Sequence, residues 1–123
     1  MTEQFNNQKY INIETFRKNG VGVKTPVWFT EDNKVFYVWT EKNSGKAKRI
    51  RRNGTIKITP STASGEPVGE WVNAHAIADS SPEALAYIIK LMKSKYGLAF
   101  FGFRLMGKIR KADYTAIKIE LST

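Results

Sequence analysis

Residues 21 to 54 read VGVKTPVWFTEDNKVFYVWTEKNSGKAKRIRRNG, and this stretch decides the fold class. Val21, Val23, Val27 and Phe29 share one face of an extended segment from Val21 to Thr30. Alternation with a period of two marks a half-buried strand. Glu31-Asp32-Asn33 supplies turn residues, and Lys34 to Thr40 is dense in β-branched and aromatic side chains, which predicts another strand. The pattern then changes. From Ser44 to Arg52 nothing alternates; Ala47 and Ile50 stand three apart among cations, and Asn53-Gly54 closes the segment. Ser44 is suited to cap a helix, so the spacing predicts a short basic helix.

The same reading extends outward. Lys9 to Phe16 forms a first strand, ended by Lys18-Asn19-Gly20, a hairpin signal. Thr55 to Pro60 is a strand, Ala63 to Pro67 a loop, and Trp71 to Ala78 a further strand. In the last, Val72, Ala74, Ala76 and Ala78 share a face whose small side chains call for a closely packed neighbour. Ser81-Pro82-Glu83 opens a longer helix that ends near Tyr96-Gly97. A serine cap, a proline in the first turn and an acid near the positive end of the dipole all favour that start. Leu85, Ile88, Ile89 and Met92 form its apolar stripe. Tyr114 to Leu121 closes the chain as a strand, with Thr115, Ile117, Ile119 and Leu121 on one face. The expected fold is mainly β with helices (α+β). Six or seven antiparallel strands carry one short and one longer helix as plugs of a small barrel, in a single domain over residues 1 to 123.

Composition narrows the chemistry. The chain has 123 residues, 41% of them hydrophobic, and no cysteine, so disulfides, thiol nucleophiles and thiolate metal sites are excluded. Neither a signal peptide nor a membrane-spanning run is apparent, and a cytoplasmic location is expected. Twenty Lys and Arg against eleven Asp and Glu give a net charge of +9, which calls for an anionic partner. Six of those twenty cations fall between Lys42 and Arg52, and a second group spans Arg104 to Lys111.

The densest constellation is Thr40-Glu41-Lys42-Asn43-Ser44-Gly45-Lys46-Ala47-Lys48-Arg49. A strand ends at a hydroxyl; a loop with a second hydroxyl and a glycine leads into a basic helix. Free amides and the dipole at a helix start favour an anion. Lys46 adds a point charge, and Arg49, one turn on, can fork onto two phosphate oxygens. The competing reading is a solvated basic face, which composition alone favours slightly; the placement of Thr40, Ser44 and Gly45 brings the two level. Thr25-Pro26-Val27-Trp28-Phe29 is the second candidate: proline in a strand marks an edge, a bulge or a place where something else, such as a planar ring, lies alongside, and on this stretch alone an edge strand with ordinary aromatic packing is favoured. Trp71, and the cluster Phe100, Phe101, Phe103 and Arg104, read as core, as interface or as the wall of a ring-shaped ligand. His75 is the only histidine and has no nucleophile or metal partner in the pattern, so it reads as structural, and no metal is expected.

Taken in order, Thr25 to Phe29, the strand ending at Thr40, Ser44 to Asn53, Gly65-Glu66-Pro67 and Trp71 to Ala76 resemble the pyridoxamine-5′-phosphate-oxidase-like split β-barrel family. The likeness is nearest to its short deazaflavin-dependent members and runs from about Tyr10 to Tyr96. It implies a homodimer with two sites at the interface and FMN or a deazaflavin, coenzyme F-420, as cofactor. By position it implies that Lys46 and Arg49 hold the phosphate, Thr40 and Ser44 donate hydroxyls, Thr25, Pro26, Val27 and Trp28 line the ring, and Trp71 reaches in from the second subunit. Hydride transfer carried by the cofactor, to or from a small molecule, is the implied activity, and no catalytic side chain is assigned. Many relatives carry asparagine where Arg49 stands. The longer pyridoxamine phosphate oxidases contact their substrate through a C-terminal extension, so a different substrate is expected here. Two other readings stand beside this one: a flavin- or heme-binding module without turnover, and a small nucleic-acid-binding barrel.

Overall fold

The computed structural model describes residues 2–100, 102 and 113–122. Seven strands form one antiparallel sheet: β1 (Tyr10–Phe16), β2 (Gly22–Trp28), β3 (Thr30–Asp32), β4 (Val35–Glu41), β5 (Thr55–Ser61), β6 (Val72–Asp79) and β7 (Tyr114–Leu121). Two α-helices accompany them, α1 (Gly45–Arg52) and α2 (Pro82–Tyr96), with a 3-10 turn at Glu3–Phe5. The expected strand-rich α+β barrel is the observed architecture. The segment Phe101 to Lys111, Gly102 apart, lies outside the described residues, and with it most of the aromatic-basic cluster after Gly97.

The sheet order is β2-β1-β5-β6-β7-β4-β3, which puts β2 and β3 at opposite edges. In sequence the two are separated only by Phe29. The sheet therefore has to curl until its edges meet, and the result is a half-barrel. The single strand expected from Val21 to Thr30 is divided here, because β2 pairs with β1 while β3 pairs with β4. Val21, expected as the first residue of that strand, falls before it and is exposed. The turn expected at Glu31-Asp32-Asn33 sits later, at Asn33-Lys34, whose φ angles are +52° and +66°. A two-residue hairpin needs both central residues in that region, and asparagine enters it readily.

Inside the curl, Phe5, Ile11, Phe36, Ile58, Ile117 and Ile119 are buried. Helix α1 packs against β1 and β6 and sends Ile50 into the same cluster. Ala74 and Ala76 of β6 are the small side chains that permit this approach. On the outer face, α2 buries Ile88 and Met92 against Tyr37 and Trp39 of β4 and Ala116 of β7. Strand β7 is thus covered on both faces at Thr115 to Ile117. Both helices have serine caps: the Ser44 hydroxyl accepts from the Ala47 amide and Ser81 from the Ala84 amide.

The C-terminal end of α2 closes the seam. The Tyr96 hydroxyl accepts the Phe29 N–H at 3.0 Å and lies 2.6 Å from the carbonyl oxygens of both Lys9 and Phe29. Its ring stacks on Trp28 at 4.5 Å and 7°. Lys95 Nζ donates to the Phe29 carbonyl at 2.7 Å and sits 3.6 Å over the Phe29 ring. Removing the hydroxyl in Tyr96→Phe leaves the Phe29 N–H without its partner. A cost of about 1–3 kcal/mol follows, read in thermal unfolding as a fall of roughly 3–12 °C. An unchanged midpoint would show that the seam does not depend on this hydroxyl. Burial also lowers the Lys95 pKa from 10.5 to about 8. Between these values the unfolded chain holds the proton and the folded chain does not, so this group makes stability rise with pH across that window. Urea unfolding of Lys95→Met at pH 8 and pH 10 is expected to show a smaller rise than the parent chain.

Candidate functional site

Three local features converge near the seam. Strand β2 is a sheet edge, where the missing donor of Pro26 costs least. Strand β4 ends at Thr40 and Glu41, and a three-residue connection leads to α1. Between them lies a cleft of about 460 Å³, lined by Thr25, Pro26, Val27 and Trp28 on one side and Thr40, Ser44 and Lys46 on another, with Tyr10, Trp39, Glu41, Met92 and Phe100 completing it. Seven of the nine residues singled out in the sequence thus line one cavity. The seven come from two stretches separated by a hairpin, and the curl of the sheet brings them together.

The other two lie outside the lining. Arg49 donates its Nε to the Thr15 hydroxyl at 2.7 Å, which anchors the guanidinium to β1. Its Nη1 lies 2.8 Å from where a Cβ on Gly45 would be, so the group folds back over the first turn of α1. Gly45 makes room for it. Trp71 precedes β6, and its ring lies 5.2 Å from Lys24 Nζ. His75 is exposed on β6 beside Gly54, away from the cleft. Among the described residues no group of histidines and carboxylates is arranged to hold a metal ion.

The electrostatics of the α1 start are one-sided. The first turn carries no acid, although the dipole there favours one. Ser44 caps the Ala47 amide, which leaves the amides of Gly45 and Lys46 as first-turn donors that the helix does not use. Lys46 adds its ammonium to this positive end. Its pKa is lowered, first by burial and then by the charge of Arg49, while Glu41 acts in the opposite sense. Arg49 is lowered too, by burial and then by Arg17 and Arg52. Cations are held close together here, and an incoming anion would relieve the repulsion.

Several lining residues escaped the sequence reading. Trp39 and Glu41 lie on the face of β4 opposite Val38 and Thr40, and both faces of that strand carry large side chains. That double-sidedness was the available signal. Met92 was read only as part of an apolar stripe. Tyr10 reaches the cleft because its register places it opposite Trp28.

A curled antiparallel sheet with α1 packed on β1 and β6 and α2 on its outer face defines a split β-barrel, here with a cleft beside the seam. No family model matches the sequence, and neither does any curated protein. Solved structures do match in fold. The heme storage protein HutZ from Vibrio cholerae aligns with a TM-score of 0.75 and 14% identity, over 99% of this chain and 87% of that one. A Listeria innocua protein provisionally assigned as a pyridoxamine 5′-phosphate oxidase aligns at 0.69 and 12%, over 98% and 90%. An F-420 reductase aligns at 0.64 and 15%, over 99% and 93%. The chain has the split-barrel fold of pyridoxamine-5′-phosphate-oxidase-like proteins.

The crowding at α1 has a direct readout. In a pH titration of side-chain lysine resonances by NMR, Lys46 is expected to lose its proton below the exposed lysines, and inorganic phosphate is expected to move its midpoint upward. A Lys46 midpoint that coincides with the exposed lysines, with and without phosphate, would contradict the crowding.

Proposed function

We propose that the cleft binds a phosphate-bearing planar cofactor of the flavin type, FMN or the deazaflavin coenzyme F-420, for hydride exchange with a small molecule. The observation that carries this reading is the pairing, in one cavity, of an acid-free basic helix start with an aromatic and proline-containing strand edge. The first suits a phosphate and the second a ring. The residues present fit such a group: Lys46 and the amides of Gly45 and Lys46 meet the anion, Ser44 and Thr40 offer hydroxyls, and Thr25 to Trp28 offer the flat wall. When bound, the cofactor supplies the hydride chemistry. The chain's own part is to orient the ring and exclude water, which agrees with a lining in which, among the described residues, Glu41 is the sole carboxylate. Arg49 serves the phosphate indirectly in this reading, through its charge beside Gly45. The names of the fold neighbours, a phosphate-ester oxidase, a deazaflavin reductase and a heme protein, support a ring-shaped ligand without choosing among them. Heme is the less suited, since the lining contains no histidine. The half-buried setting of Lys46 favours a small anion over a nucleic-acid strand.

The reading includes a homodimer in which Trp71, outside its own cleft, reaches the cleft of the second copy. Sedimentation that gives a monomer at working concentration would remove that element.

Lys46→Ala with Arg49→Ala tests the phosphate assignment. Loss of a charge-assisted hydrogen bond corresponds to roughly 1.5–3 kcal/mol, or about 10- to 100-fold in Kd. Titration of FMN and of F-420 into both proteins is expected to show at least that loss, with circular dichroism unchanged. Equal affinities would sink the assignment, and salt-sensitive oligonucleotide binding without flavin affinity would favour a nucleic-acid barrel. Oxidation of NAD(P)H or reduced deazaflavin by the loaded protein separates turnover from simple binding.

A further inference from the structure

Among the described residues, four buried side-chain polar atoms have no hydrogen-bond partner: Asn12 Oδ1, Trp39 Nε1, Thr59 Oγ1 and the Tyr114 hydroxyl. Two of these four belong to one stacked pair. The Trp39 indole lies on the Tyr114 ring at 4.5 Å and 21°. Trp39 also lines the cleft, and Phe100, which lines it too, meets the indole edge-on at 5.7 Å and 79°. An indole N–H can only donate, and a buried donor with no acceptor costs stability. Tryptophan in a core usually finds a partner for that group, or is replaced by phenylalanine. Here the ring is packed on two sides, its N–H is buried and unsatisfied, and the residue itself lines a cavity.

We propose that Trp39 Nε1 is a specificity determinant of this cleft, donating a hydrogen bond to an acceptor on the ring of the bound ligand. The inference rests on the cofactor reading above and adds to it. The ligand's ring carries a carbonyl or ring-nitrogen acceptor, as the pyrimidine portion of flavins and deazaflavins does. The basic start of α1 holds the opposite, anionic end. Because the N–H meets almost no solvent in the ligand-free protein, its acceptor reaches it only as the packing around the indole shifts. The wall then discriminates by chemistry: an aromatic phosphate ester without a ring acceptor keeps the anion contacts and leaves the N–H unpaired. Buried polar groups reject such analogues more strongly than apolar pockets reject a missing methylene.

The experiment is a cycle of two ligands and three proteins. FMN and riboflavin, which share the ring and differ in the phosphate, are titrated into the full chain, Trp39→Phe and Lys46→Ala, with circular dichroism as the check on folding. Trp39→Phe is expected to weaken FMN and riboflavin by the same factor, about tenfold. Lys46→Ala is expected to weaken FMN and leave riboflavin unchanged. Benzothienylalanine placed at position 39 keeps the ring shape and lacks the N–H. It is expected to weaken both ligands as Trp39→Phe does, while leaving the ligand-free protein no less stable than the parent. Ligand affinities that are unchanged in both position-39 variants overturn the Trp39 assignment alone. So does loss of FMN binding with riboflavin unaffected, or a ligand-free protein destabilised by the benzothienyl isostere, which would mean that the N–H has a partner within the protein. Failure of the parent chain to bind either ligand overturns the cofactor reading, and the Trp39 assignment falls with it.

Discussion

Phe29 is one residue long as a connection, and the architecture follows from that. It joins the two edge strands of a seven-stranded sheet, so the sheet cannot lie open. A junction this short also strands its own peptide groups, since Phe29 belongs to neither ladder. Tyr96 resolves the conflict by meeting the Phe29 N–H with its hydroxyl, and Lys95 meets the carbonyl. An α2 tyrosine thus does for the seam what a neighbouring strand does elsewhere in the sheet. The same tyrosine stacks on Trp28, and Trp28 lines the cleft. The contact that closes the fold therefore also fixes one wall of the candidate site.

The opposite wall comes from a different constraint. Helix α1 packs against the curled sheet and buries Ala47 and Ile50. With those two residues turned to the core, Lys46 is directed to the cleft, while Arg49 is drawn to Thr15 of β1. Lysine and arginine one turn apart were expected to act alike on an anion. They diverge because Arg49 has a hydroxyl acceptor within reach and Lys46 has a cavity. On the proposed reading the arginine contributes through its field over Gly45, and the lysine by direct access.

Much of this was legible along the chain because the signals were local. Ser44 and Ser81 were readable as caps because capping is settled within three residues. Ala74 and Ala76 announced a close neighbour because small side chains in a strand leave room that something must fill. The break at Phe29 was not legible. Alternation from Val23 to Phe29 continues smoothly through it, and what ends β2 is a change of partner strand, a fact fixed far away in sequence. The shift of the turn to Asn33-Lys34 has the same origin, since β3 has to extend through Asp32 to pair with Val35. Met92 read as part of an apolar stripe because it does pack against a core, and Trp39 drew no reading; that both also border a cavity depends on how α2 lies across β4.

Two of the unsatisfied features among the described residues belong to residues that line the same cleft. Positive charge is gathered at the start of α1 without an acid, and the Trp39 N–H is buried without an acceptor. Each could be relieved locally by an ordinary substitution, an aspartate or glutamate in the first turn or a phenylalanine at position 39, with gain to the ligand-free fold. Departures from the packing and pairing rules that the rest of a chain obeys are expected where function is built, and on the proposed reading the missing partner is a ligand. The two demands are chemically distinct, one for an anion and one for a neutral acceptor. A single molecule answers both only if it carries a phosphate at one end and a polar ring at the other. Such a molecule also stabilises the fold as it binds, by an amount that grows with its concentration over Kd. The seam at Phe29 and the cleft share Trp28, so that stabilisation reaches the junction on which the barrel depends.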